Sequence, residues 1–121
     1  MAGLTPAAAL LVGLGGSLGA SLRYLVGEAV AIEGYPLPTL TVNVLGSFAL
    51  AVLTFAGADS TVVLFVGTGA CGAFTTFSSF AVETVELWDS GEPGRAITYA
   101  FGTTAAAGAA VALGWAVTTV P

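Results

Sequence analysis

Charged residues fall at few places along this chain, and the stretches between them are long. Residues 1–22, 34–58, 60–82 and 96–121 carry no charge; these runs of 22, 25, 23 and 26 residues hold 96 of the 121. A helix crossing the hydrocarbon core of a bilayer needs about 20 mostly apolar residues, so each run supplies one span. The pattern predicts four transmembrane helices, at about 6–28, 38–57, 62–87 and 95–118, in a single domain over 1–121. The connections have turn chemistry. Glu33-Gly34-Tyr35-Pro36-Leu37-Pro38 contains two prolines that block helix continuation. Asp59-Ser60 is a tight link with Ser60 as a candidate helix N-cap. Asp89-Ser90-Gly91-Glu92-Pro93-Gly94 is a polar turn. A signal peptide is the rival reading of the first run. That run lacks a basic n-region, and its Gly-Gly-Ser-Leu-Gly-Ala stretch passes straight into Arg23-Tyr24.

Composition closes off other classes. Charged residues make up 7% of the chain, hydrophobic residues 56%, and mean hydropathy is +0.97. Soluble domains are about 25% charged, so this chain cannot build a water-exposed surface. Two basic residues against seven acidic leave no footprint for nucleic acid. One cysteine and no histidine exclude an internal disulfide and the common zinc sites. No nucleophile–base pair, carboxylate pair or phosphate loop is present, so the chain is not read as an enzyme. A multi-pass protein of the cell membrane remains.

Charge gives little orientation. Arg23 and Arg95 both lie towards the side of loops 1–2 and 3–4, which weakly places that side in the cytoplasm. Insertion both ways up is the alternative. Seven acids with no lysine also give a faint hint of a salt-adapted source.

The chain is rich in small residues. Gly15 with Gly19, Gly16 with Ala20, and Gly102 with Ala106 have the spacing that lets helix backbones approach closely in lipid. Packing within one bundle accounts for most of them. Yet four helices leave little room to enclose a pathway, so an oligomer is expected. Two chains inserted in opposite directions would supply the inverted symmetry that many transporters obtain from internal repeats, and a two-fold interface is the commonest closed form.

Polar residues inside spans are costly and face protein or water. Thr39, Asn43 and Ser47 form one stripe on the second span. The Asn43 amide has two N–H donors and an acceptor, which suits an interhelical seam or an anion pathway. The third span carries Gly67-Thr68-Gly69-Ala70-Cys71-Gly72-Ala73-Phe74-Thr75-Thr76-Phe77-Ser78-Ser79-Phe80. Its glycines and β-branched threonines point to a break near mid-span, and free carbonyls at such a break can hold a small cation. A continuous helix with glycines in a packing seam is the other reading. Phe74, Phe77 and Phe80, three apart, are expected to share a face. Their positive ring edges could contact an anion weakly, with Ser78 and Ser79 donating hydrogen bonds; plain packing is the alternative. Arg23 either snorkels to the interface or concentrates anions at a mouth. Glu83 follows Ser79 by four residues and is either an interfacial carboxylate or a vestibule group. Tyr99 and Thr103 pair at i, i+4 on the fourth span, and Cys71 reads as a packing residue.

Three blocks of this sequence resemble the small fluoride channels of the Fluc/CrcB family. Gly15-Gly16-Ser17-Leu18-Gly19-Ala20-Ser21-Leu22-Arg23-Tyr24 is like the family's GGxxGAxxRY. Thr39-Leu40-Thr41-Val42-Asn43-Val44-Leu45-Gly46-Ser47-Phe48 is like its TLxVNxxGSF, and the block 69–80 is like its GxxGxxTTFSTF. The blocks keep the family's order, and the third is the most specific. Ser79 stands where threonine is common and Ala73 where glycine is common; neither removes a hydroxyl or a main-chain ligand.

The resemblance implies an all-α membrane protein of four transmembrane helices, the third broken near its middle, assembling as an antiparallel dual-topology dimer with two pores. It implies a fluoride pathway along Asn43, Phe77, Ser78, Ser79, Phe80 and Tyr99, with Arg23 and Glu83 in the vestibule. It also implies a structural sodium ion at the dimer interface, held by the main-chain carbonyls of Gly72 and Thr75. Some family members pair two different chains. Both phenylalanines and Asn43 are present here, which favours a homodimer, and a heterodimer with a homologous chain stays open. The expected function is a fluoride-selective channel that releases cytoplasmic fluoride passively and lowers its toxicity. Two rivals stand beside it. A small proton-coupled drug exporter needs a membrane-embedded carboxylate, and the first span has none. A non-conducting accessory subunit would need a partner.

Overall fold

The computed structural model describes residues 4–121; residues 1–3, which belong to the first uncharged run and to the predicted 1–121 domain, lie outside it. The described chain is all helix, with one isolated antiparallel bridge between Ile32 and Tyr35. Helix α1 (Pro6–Val30) starts from Thr5, whose hydroxyl accepts the Ala8 N–H at 3.0 Å, with Pro6 at the first helical position. Proline suits that position because its missing N–H would be unpaired there in any case. Helix α2 is Leu37–Phe55. The third span comprises α3 (Ser60–Val62), a π-helical stretch (Val63–Cys71), α4 (Gly72–Phe74) and α5 (Phe77–Asp89). Helix α6 (Pro93–Thr119) again opens on a proline.

Among the described residues, four helical segments are long and apolar enough to cross a membrane: Pro6–Val30, Leu37–Phe55, Ser60–Asp89 and Pro93–Thr119. The protein is a multi-pass membrane protein. Leu10, Leu14, Leu18, Leu22 and Leu25 are all exposed along α1, an apolar stripe of the kind a bilayer covers.

One cap differs from expectation. The third span is capped by Asp59, not Ser60: the Asp59 carboxylate accepts the Val62 N–H at 3.0 Å. A capping residue must still be extended, and Asp59 is (φ −70°, ψ 167°) while Ser60 already lies in the helix.

Backbone contact positions the third span. A Cβ at Gly15 would run into the Phe65 carbonyl, and one at Gly19 into the Ala70 carbonyl. A Cβ at Gly69 would stand 2.8 Å from the Val12 carbonyl oxygen. Helix α1 and the π-helical stretch therefore meet backbone to backbone, as small-xxx-small spacing allows. On the other side, Gly114 of α6 lies against Ala51 and Phe48 of α2. The Gly102–Ala106 pair has no such role within one chain, because a Cβ at Gly102 would meet nothing within 4 Å.

Candidate functional site

The chain leaves helical geometry at two residues of the third span. Thr75 (φ −86°, ψ 161°) and Thr76 (φ −151°, ψ 122°) are extended between α4 and α5. Extended backbone in a span must find partners for its polar groups, and Asn43 of α2 provides them. The Asn43 Nδ2–H donates to the Thr76 carbonyl at 2.9 Å, and the Thr76 N–H donates to Asn43 Oδ1 at 2.8 Å. One amide side chain thus pairs with both polar groups of Thr76, as a neighbouring strand would. Gly46, one turn further along α2, makes room: a Cβ there would collide with Thr75 Cγ2.

The same threonine restarts the helix. Thr76 Oγ1 accepts the Ser79 N–H at 3.2 Å, an N-cap on α5, and lies 3.4 Å from the Ser78 hydroxyl. Phe77 and Phe80 follow with ring centroids 5.9 Å apart and planes tilted by 50°. Phe74 does not join them. The extended step at Thr75-Thr76 destroys the helical phase, so the three-residue spacing brings only Phe77 and Phe80 onto one face. Phe74 packs instead beside Gly46.

Beside this step lies an open groove of about 760 Å³. Asn43, Ser47, Thr68, Gly72, Thr75, Thr76, Phe77, Phe80, Thr103 and Thr104 line it, together with aliphatic side chains. Phe77 is 78% exposed, a very high value for a phenylalanine. Thr103 is 3% exposed, and its hydroxyl has no hydrogen-bond partner among the described residues. Buried hydroxyls are ordinarily hydrogen-bonded, so this one, next to the groove, stands out.

Other candidates lie around the helix. Ser78 and Ser79 line a shallow depression with Glu83. Tyr99 is fully buried, packs on Phe80 at 5.3 Å, and donates its hydroxyl to Glu83 Oε1 at 3.1 Å. Arg23 is exposed on α1 and is not among the residues lining the groove. The groove therefore brings together Asn43, Gly72, Thr75, Phe77 and Phe80. Ser78, Ser79, Glu83 and Tyr99 form an adjoining group behind Phe80, and Arg23 stands apart.

The family described as CrcB-like protein, Camphor Resistance (CrcB), matches residues 10–115. The chain belongs to the CrcB family. It is 53% identical over 115 residues to the fluoride-specific ion channel FluC 1 of Halobacterium salinarum, covering 95% of this chain and 97% of that one. It is 52% identical over 107 residues to fluoride-specific ion channel FluC 2 of Haloarcula marismortui, covering 88% and 90%. The FluC of Thermus thermophilus is 48% identical over 100 residues, 77% of this chain and 80% of that one.

Within this CrcB chain, four residues matter more than sequence reasoning allowed. Thr76 stood only inside a motif, although it is the residue Asn43 grips. Spacing pairs Thr103 with Tyr99 but assigns it no task; its unpaired hydroxyl is visible only in three dimensions. Tyr35 and Arg95 read as loop and charge, yet both reach the Tyr99 cluster. No local signal marks a contact across more than 60 positions.

Proposed function

We propose that this chain is a fluoride channel that lets accumulated fluoride leave the cell down its electrochemical gradient, and that it acts as an antiparallel, dual-topology homodimer. It is a channel and not an enzyme. The observation that carries the reading is the groove beside Thr75-Thr76, where the exposed Phe77 ring and the half-buried Phe80 ring stand among amide and hydroxyl side chains. A conductor needs attraction strong enough for an ion to enter and weak enough for it to leave. Positive ring edges of Phe77 and Phe80 supply weak attraction, while Asn43 and Thr103 supply donors. Asn43 uses one N–H on Thr76, and an amide has two. Ser78, Ser79, Tyr99 and Glu83 continue the path behind Phe80; Glu83 and, outside the groove on the exposed part of α1, Arg23 are the charges we assign to its vestibule. That relatives at 48–53% identity are named fluoride-specific ion channels supports fluoride as the permeant ion.

The dimer reading rests on what one chain leaves open. The groove has helices along only part of its perimeter, and Phe77 is bare. A second copy, inserted the opposite way, closes the groove and buries that ring. A heterodimer with a homologous chain is the alternative assembly.

A sodium ion at the dimer interface fits the donors present. The Thr76 N–H, which in a continued helix would bond the Gly72 carbonyl, goes to Asn43. The Ser79 N–H, which would bond the Thr75 carbonyl, goes to Thr76 Oγ1. Gly72 and Thr75 thus have main-chain oxygens relieved of their helical partners, the donor type that suits a small hard cation. Two chains would present four. Sodium held there would neutralise the converging carbonyl dipoles and fix the two third spans together.

The test is efflux from liposomes loaded with both halides and read by fluoride and chloride electrodes. Rapid fluoride efflux with chloride retained is expected. Proton-coupled export of organic cations, or no efflux from folded protein, would remove the reading.

A further inference from the structure

Behind Phe80 the aromatic contacts run through Tyr99 to Tyr35 in the loop between α1 and α2, and that loop is tied down from α6. Arg95, in the first turn of α6, donates from Nη1 to the Gly34 carbonyl at 2.7 Å. The same guanidinium lies 5.8 Å from the centroid of the Tyr35 ring. Gly34 has φ +79°, a conformation open to glycine, which brings Tyr35 back towards Ile32 through their single bridge. The Tyr35 N–C frame is held further by the Leu37 N–H, which donates to the Tyr35 carbonyl at 2.9 Å.

Tyr35 in turn meets Tyr99 edge to face, centroids 5.7 Å apart and planes at 86°. Tyr99 is fully buried between this ring, the Phe80 ring and the Glu83 carboxylate. Arg95 also sits 3.6 Å from Glu92, but both side chains are about half exposed, and such a pair contributes little. The weight of Arg95 therefore falls on the loop and not on the ion pair.

We infer that Tyr35, anchored through Gly34 by Arg95, is a positioning residue for Tyr99, and through Tyr99 fixes the Phe80 ring and the Glu83 carboxylate along the ion path. This rests on the proposed fluoride-channel reading. Without the Tyr35 ring, Tyr99 loses one wall of its slot and can tilt away from Phe80 and Glu83. Tyr35 need not touch the ion to set the conductance.

Single-channel recording of reconstituted protein in planar bilayers under fluoride tests this, because unitary conductance does not depend on how many channels fold. Tyr35→Leu should lower unitary fluoride conductance about fivefold, the weight of one aromatic edge-to-face contact. Tyr35→Phe keeps the ring and should restore conductance. Arg95→Ala should lower it in the same direction, while Glu92→Gln should not. If Tyr35→Leu protein does not reach the membrane, the exposed Arg95→Ala change carries the test. Fewer channels of unchanged unitary conductance would overturn the inference, as would a Tyr35→Phe protein as impaired as Tyr35→Leu. Absence of fluoride current in the unsubstituted protein would instead remove the channel reading itself.

Discussion

Asn43 holds Thr76 by both of its backbone polar groups, donating to the carbonyl at 2.9 Å and accepting from the N–H at 2.8 Å. This reciprocal pair fixes the extended step between α4 and α5, and with it the direction in which Phe77 and Phe80 leave the chain. Asn43 is therefore a structural clamp as well as a candidate ion contact. Asn43→Ala removes two hydrogen bonds, each worth about 1 kcal/mol net, and leaves Thr76 unpaired. Asn43→Asp keeps the acceptor but replaces the donor with a negative charge beside an anion path. Both should cut fluoride efflux from liposomes by about tenfold or more, with Asp the worse. Asn43→Ala should also lower the melting temperature in detergent.

Thr103 offers a trade between stability and flux. Its buried hydroxyl has no partner among the described residues, and leaving such a group unpaired costs about 1–3 kcal/mol. Thr103→Val keeps the shape and removes the hydroxyl. The protein should melt at a higher temperature and pass fluoride more slowly. An equal or faster flux would show that the hydroxyl plays no part in the path.

The α1 contact should tolerate no side chain. A Cβ at Gly19 meets the Ala70 carbonyl, which is backbone and cannot rotate aside. Gly19→Val should abolish monodisperse protein on size exclusion, since overpacking costs about 1–3 kcal/mol or more where nothing can yield. Gly108→Ala, where a Cβ would meet nothing within 4 Å of the same chain, should leave folding intact.

Much of this architecture was legible in the sequence because the bilayer enforces it. Uncharged runs of 22 to 26 residues can do little else than span, and Gly15 with Gly19 marked a close helix contact before any partner was known. What stayed hidden depends on the third dimension. Phe74 reads as part of a stripe until Thr75 and Thr76 become extended, because spacing assumes one helix throughout. Asp59 and Ser60 are both good caps, and only backbone angles choose between them. Thr103 is an ordinary helix residue until its surroundings deny it a partner.

Sodium gives a prediction that needs no substitution. If Gly72 and Thr75 carbonyls of two chains hold the ion, replacing sodium throughout purification with a bulky organic cation should lower the melting temperature and promote dissociation. A ligand at 100 times its dissociation constant stabilises by about 2.7 kcal/mol, so the loss should be plain in a thermal scan. Identical melting in both salts would remove the ion from the account.

The central claim is passive, selective fluoride conduction, and a reversal potential tests it most directly. The purified protein is placed in a planar bilayer with potassium fluoride at different concentrations on the two sides and potassium chloride making up the balance, and the zero-current voltage is measured. Selective conduction should give a voltage set by the fluoride gradient, unmoved when chloride concentration or a pH gradient is changed. A reversal potential that follows chloride, or one that shifts with the proton gradient, would contradict it.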